Sequence, residues 1–119
     1  MKTTNTLKLS TYTCQLVLVV TDQVDAEVNA VYKKNKLADV FDLNAEGVMV
    51  SFNMSKYYLI IDVDCLSHNT IAHECFHVVN RIMQDRDIRD EEAGAWIAGH
   101  VSSFIYKSIN KKNLTIKNG

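Results

Sequence analysis

Ile71, Ala72, Cys75, Phe76, Val78, Val79, Ile82 and Met83 recur at the spacing of one helical face. At roughly 100° per residue, with His73 at zero, they fill an arc from about 140° to 300°. His73, Glu74, His77, Asn80, Arg81 and Gln84 occupy the rest of the wheel. A helix of this kind must bury its apolar face on another layer, which confines the chain to folds that supply one.

The polar arc carries chemistry as well. Side chains four apart share a face, so both imidazoles of His73-Glu74-Cys75-Phe76-His77 can reach one metal ion. Zinc takes neutral His nitrogen at about 2 Å, needs at least one further protein donor, and keeps a position open for water in catalytic sites. Glu74, beside the first His, can take a proton from a water whose pKa the metal lowers. A solvated face is the plain alternative for any polar arc. Two His and a Glu in this order favour the metal.

Length and composition narrow the classes. A chain of 119 residues suits one domain with one core, here residues 1–119. Its 47% hydrophobic and 23% charged content are those of a soluble globular protein. A net charge of −1 argues against nucleic acid as a partner. No apolar run reaches the ~18 residues of a membrane span. Met1 to Ser10 is polar and lacks the apolar core of a secretory signal. Cys14, Cys65 and Cys75 are odd in number and form no C-x-x-C pair, so they read as buried thiols in a reducing compartment. A cytoplasmic or phage-associated location is expected.

The rest of the chain reads as alternating elements. Cys14–Val20 is a buried strand, and Thr21 or Asp22 caps a following helix carrying Val24, Val28, Val31 and Tyr32. A loop through Asp42-Leu43-Asn44 leads to a strand over Gly47–Phe52. A turn at Asn53-Met54-Ser55-Lys56 joins it to a strand over Tyr57–Val63, making a hairpin. Ser67, Asn69 or Thr70 starts the His-bearing helix, which runs to about Gln84. A last helix runs from near Asp90 to about Ile109, and residues 110–119 form a frayed tail. The expected order is β-α-β-β-α-α, an α+β fold with a three-stranded sheet packed on helices.

The third metal donor is sought on the last helix. Ala95, Gly99 and Ser103 fall within about 60° of Glu92 on the wheel, and such a stripe of small residues would let this helix approach the His helix closely. Glu92 is the first candidate donor. Glu91, displaced by about 100°, is the second, with His100 and Asp90 behind. His100 otherwise reads as a partner behind the ligands or a satisfied, partly buried His; His68 reads as a solvated loop residue.

At these residues the chain resembles the gluzincin branch of the zincin metallopeptidases, the single-domain minigluzincins in particular. The pentad His73 to His77, a downstream helical Glu, the hairpin before the active helix, and Glu92 with Ala95 as a Glu-x-x-Ala start carry the likeness. The chain is also similar to short phage-encoded proteins in which an acidic helix, here Asp90 to Trp96, follows the pentad. The resemblance implies a zincin-like domain with Zn²⁺ held by His73, His77 and Glu92, and Glu74 as general base. Many gluzincins carry an Asp one turn after the ligand Glu; this chain has Trp96 there, and the interval from His77 to Glu92 is short. The expected activity is zinc-dependent hydrolysis of a peptide or protein substrate, paired along Tyr57–Val63 or Gly47–Phe52. The alternative is a zincin-like structural or interaction module with little or no catalysis.

Overall fold

The structure is a computed structural model that describes residues 1–37 and 45–119. The Asp42-Leu43-Asn44 loop lies outside the described residues. Elements follow the order β1 (Lys2–Leu9), β2 (Cys14–Thr21), α1 (Val24–Lys34), β3 (Gly47–Val50), β4 (Lys56–Asp62), α2 (His68–Asp85) and α3 (Glu91–Lys111). The strands form a mixed sheet in the order β1-β2-β4-β3. β2 and β4 run parallel at its centre; β1 and β3 are antiparallel edges. The fold is α+β, with four strands among the described residues rather than three.

The additional strand, β1, has a physical reason for escaping the periodicity analysis. Only Leu7 and Leu9 in it are apolar, and its Thr and Asn positions alternate between exposed and half-buried. An edge strand needs no apolar run, because β2 supplies its ladder from Lys2↔Thr21 to Leu9↔Cys14. The tail also differs from expectation. Leu114 and Ile116 pack on the core, Lys117 N donates to Leu66 O at 2.7 Å, and Asn69 N donates to Gly119 O at 2.9 Å. Backbone pairing and two apolar anchors hold it, so it is not frayed.

Strand alternation sorts the core into two layers. Leu16, Leu18 and Val20 of β2 and Tyr57, Leu59 and Ile61 of β4 face α2 and α3. Val19 and Ile60 point oppositely and pack with Val24, Val28 and Val31 of α1. The expected hairpin of β3 and β4 forms, with Gly47 opposite Ile61 and Val50 opposite Tyr58. β4 is paired on both sides, so of the two strands expected to receive a peptide only β3 lies at the sheet edge among the described strands. Among the described residues, no helix is long and apolar enough to cross a membrane.

α2 is anchored at both ends. Ser67 caps it by accepting from Thr70 N at 3.0 Å. At the other end, the fully buried Tyr57 donates its hydroxyl to Asp85 Oδ2 at 2.6 Å and accepts from Arg86 Nη1 at 2.8 Å. Arg86 also bonds the carbonyls of Tyr12 and Met54, tying three connections together. Burial, then the bond to Asp85, pushes the Tyr57 phenol up to about 12. Tyr57→Phe is expected to cost about 1.5–3 kcal/mol, since both lost bonds involve charged partners. In the folded state the neutral phenol is favoured. Its contribution is therefore complete below about pH 10 and lost as pH rises through about 12. Urea unfolding of both proteins between pH 8 and 12 checks this: the variant should lose less stability than wild type across the alkaline range.

Candidate metal centre

Helical spacing brings the two imidazoles of α2 together. His73 Nε2 and His77 Nε2 lie 3.1 Å apart, with ring centroids 4.6 Å apart and planes at 81°. Two nitrogens at about 2.0–2.1 Å from a tetrahedral ion are about 3.3 Å apart, close to this separation, which is also that of a hydrogen bond between the two rings. Both rings are exposed, so an ion can reach them. The Phe76 ring sits edge-on to His77 at 6.2 Å.

Glu74 departs from the wheel. It belongs to the polar arc, yet it is only 5% exposed, whereas Phe76 from the apolar arc is 66% exposed. The cause is β3, which lies over the Glu74 side of α2. Gly47 and Met49 face α2, and Val48 and Val50 face α1. A Cβ built on Gly47 would come within 2.8 Å of Glu74 Cδ. Only glycine lets the sheet edge approach so closely.

The Glu74 carboxylate has no hydrogen-bond donor among the described residues; His73 Nε2 is 3.9 Å from its Oε1. Burial raises its pKa, the two His lower it, and Glu46 adds a smaller upward push. The side chain is nearly buried, but no buried side-chain oxygen is left without a partner among the described residues, and the Glu74 carboxylate opens onto the depression beside His73.

Gly47→Ala should force Glu74 out of place and destabilise the fold by about 1–3 kcal/mol, the usual cost of overpacking. Chemical denaturation of Gly47→Ala in the wild-type and Glu74→Ala backgrounds measures the contact. Equal costs in the two backgrounds would mean that the contact does not exist.

A depression of about 260 Å³ opens beside the pair, lined by Glu46, Gly47, Asn69, Thr70, His73 and Glu74. Glu46 Oε2 accepts from Thr70 Oγ1 at 3.2 Å. Periodicity gave no reason to single out Glu46: it precedes a strand, and only the sheet edge brings it to α2.

Glu92 is not brought to the histidines. Its side chain lines a separate depression with Trp96, His100, Ser103 and Lys107 on the outer face of α3. The small-residue stripe reading is overturned, because Ala95 and Gly99 are exposed and a Cβ on Gly99 would meet nothing. α3 approaches α2 instead through Gly94, against Met83, and through Ala98, whose carbonyl lies 3.9 Å from Cys75 Sγ. Burying Ile97, Val101 and Ile105 in the main core sets that rotation. Among the described residues, no three His, Cys, Asp or Glu side chains are close enough to share an ion. Glu91 and Asp90 are likewise exposed; Asp90 Oδ1 caps α3 by accepting from Glu92 N.

His100 is exposed rather than partly buried and stacks on Trp96 at 5.9 Å. His68 is exposed, as expected, but it is the first residue of α2 rather than a loop residue, with its Nδ1 2.8 Å from Tyr106 Oη. All three cysteines are free; Cys14 and Cys75 are buried and Cys65 is half-buried. Compared with protein-family models, curated proteins and solved structures, the chain matches none.

Proposed function

We propose that His73 and His77 hold a zinc ion and that the chain hydrolyses peptide bonds there, with Glu74 as general base. One observation carries this reading. Two Nε2 atoms converge at 3.1 Å beside a nearly buried glutamate, next to the strand that forms the sheet edge among the described residues. An α2 helix packed under an edge strand also suits the zincin-like domain that the resemblance implies.

The side of β3 that no described strand pairs with offers main-chain N–H and C=O groups to an extended peptide, which would lie along the cleft between β3 and α2. When bound, zinc supplies Lewis acidity that polarises a peptide carbonyl and lowers the pKa of water. Glu74 takes the proton from the attacking water and delivers it to the leaving amine. Gly47 and Thr70 shape the wall beside it, and Gly47 leaves the carboxylate the space it occupies.

The reading rests on the His pair and Glu74; the third protein donor that zinc needs is not grouped with them among the described residues. The exposed position of Glu92 favours a second one, a zincin-like structural or interaction module without turnover. Elemental analysis of protein purified without added metal, followed by incubation of the zinc-loaded chain with a mixed peptide library, separates them. About one zinc per chain and cleaved peptides are expected. Zinc without cleavage favours the module, and protein that neither carries nor takes up zinc removes the metal centre altogether.

A further inference from the structure

The outer face of α3 carries apolar bulk that no described residue covers. Trp96 is 63% exposed and Phe76 of α2 is 66% exposed, the two highest values for large apolar side chains among the described residues. They stand on either side of Gly99. Trp96 shares with it a depression of about 550 Å³ along α3, and Phe76 shares with it one of about 390 Å³ between α2 and α3. Exposed aromatic side chains grouped in this way mark a protein contact. The Trp96 ring is already held, stacked on His100 at 5.9 Å. A Cβ on Gly99 would meet nothing, so packing within the chain does not call for a glycine, which weakens a helix interior. Its missing side chain would instead let a second helix come close. The charges identify that helix. Glu92 and Lys107 line the two ends of the α3 depression, and neither has an ion-pair partner among the described residues. Their midpoint falls between Gly99 and His100. A second α3 laid antiparallel across this midpoint sets each Glu92 against the Lys107 of the other copy and each Trp96 over the other copy's small Ser103. Parallel pairing would set like charges together. The acidic first turn, Glu91 and Glu92, and the basic last turn, Lys111, favour the same antiparallel sense.

We propose that the outer face of α3 joins two copies of this chain, in a two-fold antiparallel pairing of α3 centred at Gly99. The occupant is a second copy because the stripe from Glu92 to Lys107 is complementary in charge and bulk to its own reversal. Such a contact is isologous, so every substitution in it acts twice. It is independent of the metal centre and of the peptidase reading.

Sedimentation velocity of the full chain over a concentration series tests this, with a chelator present so that the exposed His pair cannot bridge two copies through a metal. Wild type should show a monomer–dimer equilibrium with a Kd on the order of 10 μM, as suits a small interface. Trp96→Ala should weaken it at least about 100-fold, since an aromatic anchor is lost from both sides. Glu92→Lys and Lys107→Glu should each weaken it about tenfold at low salt, by setting like charges together at both ends. The double exchange, Glu92→Lys with Lys107→Glu, should recover most of that loss. All three positions are exposed, so circular dichroism should show the wild-type fold in every variant. A chain that stays monomeric up to about 1 mM overturns the proposal and leaves this face to a different partner or to none. A dimer that Trp96→Ala leaves intact, or charge reversals that the double exchange does not rescue, overturns it as well.

Discussion

Glu74→Gln is expected to reduce peptide cleavage by about 10²–10⁴-fold, the usual loss when a positioned general base is removed. The amide keeps the size of the carboxylate and fits the space that Gly47 leaves for it. The fold should therefore hold, and zinc should stay bound, because Glu74 stands beside the His pair rather than between its nitrogens. Stability should rise rather than fall. The Glu74 side chain is nearly buried and burial raises its pKa, so a neutral amide avoids part of the cost of keeping a charge there. The combination is diagnostic: turnover falls, metal content is unchanged, and the unfolding midpoint moves upward. Unchanged cleavage in Glu74→Gln would exclude the base role, and loss of zinc would make Glu74 a ligand instead.

His73→Ala and His77→Ala should each abolish stoichiometric zinc. Two imidazoles supply two positions of a tetrahedral ion, and one alone, on an exposed helix face, gives a site too weak to survive purification. Both variants should fold like wild type, since neither ring is buried and their polar contact is with each other. Titration with a chromophoric zinc indicator measures the loss, with circular dichroism as the check on folding. Glu92→Ala belongs in the same series. A loss as large as that of the His variants would mean that the first turn of α3 closes on the ion. Unchanged affinity would remove Glu92 from the ligand set, and the further protein donor that zinc needs would then lie elsewhere in the chain.

Local sequence determined the parts of this protein that depend on neighbours along the chain. Helical spacing alone places His73 and His77 on one face, because four residues make about one turn whatever the helix packs against. The β-branched run of β2, the β3–β4 hairpin, and the Ser67 and Asp90 caps are legible for the same reason. Tertiary structure decided what depends on contacts between distant segments. β1 is a strand because β2 offers it a ladder, although its own residues are mostly polar. Glu74 is buried and Phe76 exposed because β3 covers one flank of α2, a choice the wheel does not contain. Glu92 points away from the histidines because burying Ile97, Val101 and Ile105 fixes the rotation of α3, and apolar burial outweighs where a single exposed carboxylate ends up. Glu46 joins the site only because the sheet edge carries it there. Spacing along a helix is set by covalent geometry and backbone hydrogen bonds, whereas the facing of one element toward another is set by the whole core.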